Sequence, residues 1–503
     1  MTPSSIETRP GLYSASMLTL QKRRSPFSMS MFSPRASITS FARKSILAVL
    51  DDAIATGVLT VTDTEGTRSY GCYEPGCNQV TLVVTNDNFW LRMLLYVHRV
   101  LSIFSLLIFN TALRTSDVSL LMRVDACSQL TTPPVSEAYM IGDVQVDNLR
   151  NVMKLWIDNQ SGMERSLSST FSRLSSATSA LYNGLMGQTR ANSRLNVIAS
   201  YDQSNELFKA FLSTEMMYSC ALWGEEEGGV RGDMVSGPTP GDLEAAQRRK
   251  IHHVLQKARL QPGHRILEFG TGWGALAIVA AVEYGCEVDT ITLSVEQKRL
   301  AEGRIREAGV EGKIRVHLLD YREIPAEFEK AFDAFISIEM VEHVGAKHYN
   351  TYFKLIDFAL KSRDATAVIS SSTFPESRYS TYQAEDFMRR YMWPNSCLPS
   401  ATAIVTAAHS ACSGRFTLDS VANHSAHYPR TLREWDRRLD ANLTRDLVSK
   451  DFPSLTDNEG DYDAFKRKWR YLFAYASAGF ARGYITCHMW TFVRGSDIPE
   501  PCD

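Results

Sequence analysis

The sequence has no uninterrupted apolar run of about 18 or more residues, the length a helix needs to cross a bilayer. The nearest run, Val100 to Phe109, is too short and lies just after Arg92, His98 and Arg99. An excess of charge is also missing. Lys and Arg number 54 against 56 Asp and Glu, so bulk electrostatics gives no reason to expect nucleic acid as a partner. The nine cysteines are irregularly spaced, with neither a zinc pattern nor a disulfide framework. No metal is therefore expected, and a reducing, cytoplasmic compartment is the simpler reading. Acidic residues are nearly absent from residues 1–44, where Glu7 stands alone among Ser and Arg. That composition predicts a disordered tail, although it also resembles a mitochondrial targeting segment. The rest is ordinary: 503 residues, 44% hydrophobic and 22% charged, enough for two or three soluble domains.

Residues 45–160 read as a small α+β unit, with β-rich runs at Val58–Thr62 and Val80–Val84 around a turn-rich stretch. From Leu167 through Phe171, Leu174, Leu181 and Leu185, apolar residues recur at helical spacing. Two readings stay open for that helix: packed on the core, or lying on a membrane surface. A Gly/Pro-rich turn, Ser236–Gly241, precedes a helix carrying Ile251, Val254, Leu255 and Ala258. Strands are then predicted at Arg265–Phe269, Glu287–Leu293, Ile314–Leu319, Ala331–Ile338 and Thr366–Ser370, with helices between them. Such βαβ alternation over residues 161–503 predicts an α/β, doubly wound, Rossmann-like sheet with ligands at the carboxyl ends of its strands.

Two local signals sit at those strand ends. Phe269 leads into Gly270-Thr271-Gly272-Trp273-Gly274, where alternate glycines allow a tight turn and a close backbone approach to a ligand. By itself such a turn is weak, because dinucleotide folds use similar ones. After the second strand, Ser294-Val295-Glu296-Gln297 has the Ser-x-x-Gln form of a capping box, in which Ser and Gln satisfy each other's backbone donors.

Seven motifs in order carry a family resemblance from about Tyr201 to Gly483. They are YDQSNELFKAFLSTEMMYSCALW (201–223), ILEFGTGWG (266–274), TLSVEQ (292–297), LLDYRE (318–323), FISIEMVEHVGAKHY (335–349), RRYMWPNSCLPS (389–400) and HYPRTLREW (427–435). With them the chain resembles the cyclopropane-fatty-acyl-phospholipid synthases and mycolic-acid cyclopropane synthases. The resemblance implies a class I methyltransferase fold that binds S-adenosyl-L-methionine (SAM). It also implies transfer of a methylene unit to a cis double bond of an unsaturated phospholipid, at a membrane the protein meets peripherally. A homodimer is one assembly it allows.

The same resemblance implies roles for named residues. Glu268 and the backbone of Gly270, Gly272 and Gly274 would surround the methionine part of SAM. Thr292, Leu293, Ser294 and Gln297 would meet the ribose, Asp320 and Tyr321 the adenine, and Tyr218 and Ser219 would add further contacts. An alkene is a weak nucleophile, so methylation leaves a carbocation and a base must remove a proton. In the family that base is bound bicarbonate, and the matching cage here is Cys220, Glu342 and Tyr428. Glu342 can accept from the bicarbonate O–H and Tyr428 can donate to its oxygen. Cys220 would act through its backbone N–H.

Two departures stand out. Aligning on Thr373-Phe374-Pro375-Glu376 puts Ser370 where the bacterial family has a bicarbonate-binding His, which bears on ring closure more than on methyl transfer. Residues 98–136 separate two family-like stretches, 86–95 and 137–149, and read as an insertion or a retained intron. Alternatives are a lipid C-methyltransferase that stops at a methyl or methylene branch, and a catalytically silent SAM- or lipid-binding protein.

Overall fold

A computed structural model of the chain describes residues 34–94, 133–163, 204–383, 386–394 and 396–495. The helix expected over Leu167–Leu185, residues 1–33 of the expected tail and nearly all of the 98–136 segment lie outside these. The remainder of the expected tail is ordered. Helix α1 spans Pro34–Ala53 and buries Ala42, Ile46, Leu47, Val49 and Leu50, an apolar set that outweighs the polar start of the segment.

The N-terminal unit is a four-stranded sheet of β1 (Gly57–Asp63), β2 (Gly66–Cys72), β3 (Gln79–Val84) and β4 (Val144–Val146), in the order β2-β1-β3-β4. β1 pairs antiparallel with β2 and parallel with β3, and its alternate residues Leu59 and Val61 face the core. The sequence reading missed β2, where Tyr70 is the only buried residue, and the very short β4. Helices α2 (Pro133–Ile141) and α3 (Leu149–Asp158) complete the unit. Asn148 caps α3 by accepting from the N–H of Asn151, and Val152, Met153, Leu155 and Trp156 form its buried face.

One buried side chain joins both ends of this unit. Asn159 Oδ1 accepts from the N–H groups of Ala55 and Thr56, each at 2.8 Å. Its Nδ2 donates to the carbonyls of Thr56 at 2.8 Å and Leu155 at 2.9 Å. The end of α1 is thereby tied to the end of α3.

The larger unit begins with α4 (Asn205–Phe211) and α5 (Asp242–Lys257), then alternates. β5 (Arg265–Phe269), α6 (Ala275–Glu283), β6 (Glu287–Thr292), α7 (Val295–Glu307), β7 (Ile314–Leu318), β8 (Ala334–Ile338), α8 (Tyr349–Ala359), β9 (Thr366–Thr373) and α9 (Ala401–Ala411) follow in turn. β10 (Phe416–Asn423) and β11 (Thr486–Arg494) flank α10 (Tyr428–Asn442) and the long α11 (Glu459–Ala481). The seven strands are ordered β10-β11-β9-β8-β5-β6-β7. β5 to β9 are parallel, and β11 enters antiparallel between β9 and β10.

β5 shows why the sheet is covered twice. Ile266 packs among residues of α5, α6 and α7, while Leu267 and Phe269 pack among those of α8 and α9. The chain moves outward from β5 through β6 to β7, then crosses back to β8 and β9. β5 and β8 therefore flank the point where strand order reverses, the place for a ligand crevice. All five predicted strands are present, although β9 continues to Thr373 and β8 starts later, at Ala334. The antiparallel strands β10 and β11 were missed.

The N-terminal unit does not have a core of its own. Trp90, Met140, Leu155 and Trp156 belong to the same buried cluster as Phe211, Trp435, Trp469 and Phe473. α11 is the shared wall, packing against α10 on one side and α2 and α3 on the other. Replacing Asn159 by Ala removes all four bonds, and because Ala55 and Thr56 are exposed and their N–H groups can turn to water, the unit should lose about 1 to 2 kcal/mol. Hydrogen exchange should then quicken first at residues 55–56 and in α3, and exchange unchanged there would refute the tie.

Candidate functional site

The turn after β5 is built by backbone conformation. Gly272 has φ +50°, and a Cβ built on it would meet nothing within 4 Å, because the residue borders open space. Gly274, at φ +84°, serves packing instead: its Cβ would come within 3.3 Å of Ala301 Cβ on α7. The turn is fixed from below by the N–H groups of Gly270 and Thr271, which donate to Ile291 O at 3.0 and 3.1 Å.

This turn forms one side of a cavity of about 1400 Å³. Of the residues expected to hold SAM, Tyr218, Ser219, Glu268, Gly270, Gly272, Thr292, Leu293, Ser294, Gln297, Asp320 and Tyr321 line it. Gly274 does not, for the packing reason above. Glu268 is buried at the end of β5 and accepts from the Thr290 hydroxyl at 2.6 Å. Burial pushes its carboxyl up to about 8.

The capping box after β6 is half made. Ser294 Oγ accepts from Gln297 N–H at 3.2 Å, but the Gln297 side chain does not return to Ser294. Its Oε1 accepts from the Thr292 hydroxyl at 2.8 Å, and that hydroxyl accepts from Ser294 N–H at 3.1 Å. The threonine at the strand end thus replaces the reciprocal bond. Asp320, expected to accept from adenine, is held by Arg322. The Arg322 Nε and Nη2 groups donate to its two oxygens at 2.8 and 2.6 Å. That pair keeps the Asp320 carboxyl below its ordinary range. The Tyr321 ring lies 5.7 Å from the ring of Phe269, at the cavity edge.

The other side of the cavity is apolar and aromatic, with Trp393, Trp435, Leu472, Phe473 and Phe480 among its lining residues. Met153, Trp156 and Ile157 of α3 also reach it, so the N-terminal unit contributes part of the wall. The Tyr218 hydroxyl is buried without a hydrogen-bond partner among the described residues, amid the rings of Phe208, Phe211 and Trp435.

Between the two sides lies a carboxylate that the sequence reading did not single out. Glu339 follows β8 and adopts φ +51°, a left-handed conformation rare for a side-chain-bearing residue and typical of sites where structure overrides local preference. It is clamped from two sides: Cys220 N–H donates to Oε1 at 2.8 Å and the Tyr428 hydroxyl donates to Oε2 at 2.6 Å. These are the donors expected to hold bicarbonate, and both are engaged by a side chain of the protein itself. The Cys220 thiol turns away to the carbonyl of Ala221, and Cys220 does not line the cavity. Tyr428 does line it, with its ring stacked 4.2 Å from Phe480.

Glu342 is also buried at the cavity. Its Oε1 accepts from Ser372 N–H at 2.7 Å, and Oε2 has no hydrogen-bond partner among the described residues. Burial, and then the charge of Glu339, push its carboxyl up to about 8. The two serines at the end of β9 are placed differently. Ser370 is buried in β9 with its carbonyl accepting from Glu339 N–H at 2.9 Å, and it is Ser372 that borders the cavity.

Lys250 was missed as well. It lies on the buried face of α5, 2% exposed, and its ammonium donates to Ser219 Oγ at 2.5 Å. Both omissions had a signal in the sequence. Glu339 is an acid at the carboxyl end of a central strand, and Lys250 is a charge within the apolar stripe of Leu243, Ala246, Ile251 and Val254.

Gly272→Val places a branched side chain in the open space and forces a β-branched residue to φ +50°. SAM affinity should fall at least about tenfold, equivalent to 1.4 kcal/mol or more. Titration calorimetry on the folded variant checks this, and unchanged affinity would remove the turn from the ligand site.

Comparison with known proteins agrees with the motifs. Residues 188–490 match the family described as mycolic acid cyclopropane synthetase. The tuberculostearic acid methyltransferase UfaA1 of Mycobacterium tuberculosis is 36% identical over 311 residues, covering 61% of this chain and 66% of that protein. The cyclopropane-fatty-acyl-phospholipid synthase of Escherichia coli is 30% identical over 295 residues, covering 59% and 66%. Sphingolipid C9-methyltransferase 1 of Gibberella zeae is 27% identical over 312 residues, covering 61% and 55%. The matched part thus spans just under two thirds of the first two relatives. A solved structure of the mycolic acid cyclopropane synthase CmaA1, complexed with SAH and CTAB, aligns with TM-score 0.47 and 25% identity over 59% of this chain and 97% of that one. The family match covers more than half of the sequence and includes the glycine turn, Glu339, Glu342 and Tyr428: the chain belongs to the mycolic acid cyclopropane synthetase family.

Proposed function

We propose that the protein transfers a one-carbon unit from SAM to a cis double bond in a phospholipid acyl chain, with Glu339 as the proton acceptor. The observation that carries this reading is the clamp on Glu339. A half-buried carboxylate accepts from the two donors expected to hold bicarbonate, at the junction of the glycine cradle and the aromatic lobe. SAM, when bound, supplies an electrophilic methyl group that the alkene π pair takes, leaving S-adenosylhomocysteine and a cation on the chain.

The protein's own groups divide the remaining work. Glu268 meets the ammonium of the methionine part, and the Thr292–Gln297 clamp shapes the ribose side. Aromatic faces of the lobe can stabilise the cation. Glu339 then removes a proton, and the C–H electron pair either closes the ring or forms a new double bond. Loss from the added methyl gives a cyclopropane chain. Loss from the methyl-bearing chain carbon gives a methyl-branched alkene, and a preceding hydride shift gives an exocyclic methylene. The branched products are the second reading, favoured by a base fixed to the protein in place of a diffusible anion. Among the described residues no helix is long and apolar enough to cross a membrane, which is compatible with peripheral access to lipid.

Two measurements test this. In the free protein Glu268, raised to about 8, is mostly protonated at pH 7, and a bound ammonium favours its carboxylate. SAM binding at pH 7 should therefore release a proton and tighten as pH rises toward 8. Calorimetry in buffers of different ionisation enthalpy reads this directly, and buffer-independent heats would refute it.

The second measurement uses SAM and vesicles of monounsaturated phospholipid, with products weighed as acyl chains one CH2 heavier and tested for a surviving alkene. Glu339→Gln should lower turnover by about a hundred- to ten-thousand-fold, as loss of a general base does, with SAM affinity little changed. Removing bicarbonate should leave the unmodified protein's rate intact. A rate that collapses without bicarbonate, together with an active Glu339→Gln protein, would return the base to bicarbonate held at Cys220, Glu342 and Tyr428. SAM binding without any lipid product would leave a silent binding protein.

A further inference from the structure

Three carboxyls surround the cavity, Glu268 and Glu342 buried and Glu339 half-buried. Among the described residues none of them forms an ion pair with Arg or Lys. Desolvation and like charge both disfavour ionised carboxylates there. A base has to be ionised to accept a proton, so something in the site must offset that penalty.

Lys250 is placed to do so. Two groups on the buried face of α5 reach the segment that carries the donor to Glu339. Gln247 Nε2 donates to the carbonyls of Met217 at 3.3 Å and Ser219 at 3.0 Å, and one turn later Lys250 Nζ donates to Ser219 Oγ at 2.5 Å. The next residue, Cys220, gives its N–H to Glu339. A short path therefore runs from the ammonium through Ser219 and Cys220 to the carboxylate, and ends at the Tyr428 hydroxyl.

The groups facing Lys250 are the carboxyls of Glu339 and Glu268 and the thiols of Cys220 and Cys487, and burial holds its ammonium down to about 8. Facing Glu339 are Lys250, Tyr428, the Cys220 N–H, Glu342, Tyr218 and Cys487. With SAM bound, Glu268 is satisfied by the ammonium of the ligand, and the charge of Lys250 is left to Glu339.

We propose that Lys250 is a positioning residue for the reaction: the buried counter-charge that keeps Glu339 in its ionised, proton-accepting form at neutral pH. This rests on the reading of Glu339 as the base. Merely pinning Ser219 is the competing structural role, and a neutral hydrogen-bonding side chain separates the two.

The test is the pH dependence of kcat in the full chain, with SAM and vesicles of monounsaturated phospholipid, over about pH 6 to 9. Lys250→Gln keeps a donor for Ser219 and removes the charge. Its rising limb should move to higher pH by at least about one unit, the size expected for losing a nearby opposite charge. Lys250→Arg should restore the limb even if its rate is lower. A limb unmoved in Lys250→Gln overturns the proposal, whatever happens to the rate. In the unmodified protein, the ¹³C carboxyl signal that disappears in Glu339→Gln should titrate below pH 7 with SAM bound, and a midpoint above 8 also overturns it. Failure of the underlying reading is separate, because Glu339→Gln itself would then stay active.

Discussion

The architecture around the cavity depends on the two hydrogen bonds that close on Glu339. One comes from Cys220 in the loop after α4, the other from Tyr428 at the start of α10, and the carboxylate stands at the end of β8. Three segments far apart in sequence therefore meet on one side chain. Both bonds are partly buried at the cavity wall, and a carboxylate that accepts from two such donors is held in one geometry. The left-handed backbone at Glu339 accompanies that arrangement: with φ +51° the chain leaves β8 while the carboxylate meets both donors.

Placement of the clamp follows from sheet topology. Because β5 lies next to β8 and the chain departs from them in opposite directions, the turns after these strands face each other across a natural crevice. The glycine turn occupies one side and Glu339 the other. Helices on both faces make the strands rigid, so the separation of the two groups is set by the framework more than by loops. The antiparallel β11 extends this framework and carries Cys487, whose N–H donates to Ser425 Oγ at 2.8 Å just before α10.

Much of this framework was readable from residues 265–370, because buried parallel strands are continuous apolar runs and the turns between them carry Gly and Ser signals. β10 and β11 were not readable in the same way. β10 has an exposed, mixed surface, and β11 follows a long helix where a further βα unit was not anticipated. Most residues expected to hold SAM were legible as cavity lining, since they sit on local turns at strand ends. Glu339 and Lys250 left only a faint signal and Ser372 none, because their partners, Cys220 and Tyr428, Ser219, and Glu342, are distant in sequence. That Ser372, and not Ser370, borders the cavity depends on where β9 ends.

The shared wall formed by α11 has a chemical consequence. Its inner side lines the aromatic lobe with Leu472, Phe473 and Ala476, and its outer side is covered by α2 and α3, which bring Trp156 and Ile157 to the same lobe. A chain beginning at Ser204 would retain the glycine turn, Glu339 and Lys250 but lose part of that wall. Water would then compete with the carboxylate for the cation, and its capture would leave a hydroxyl on the acyl chain. On the proposed chemistry, the N-terminal unit is a dehydrating element: it decides between a hydrocarbon and an alcohol without touching SAM.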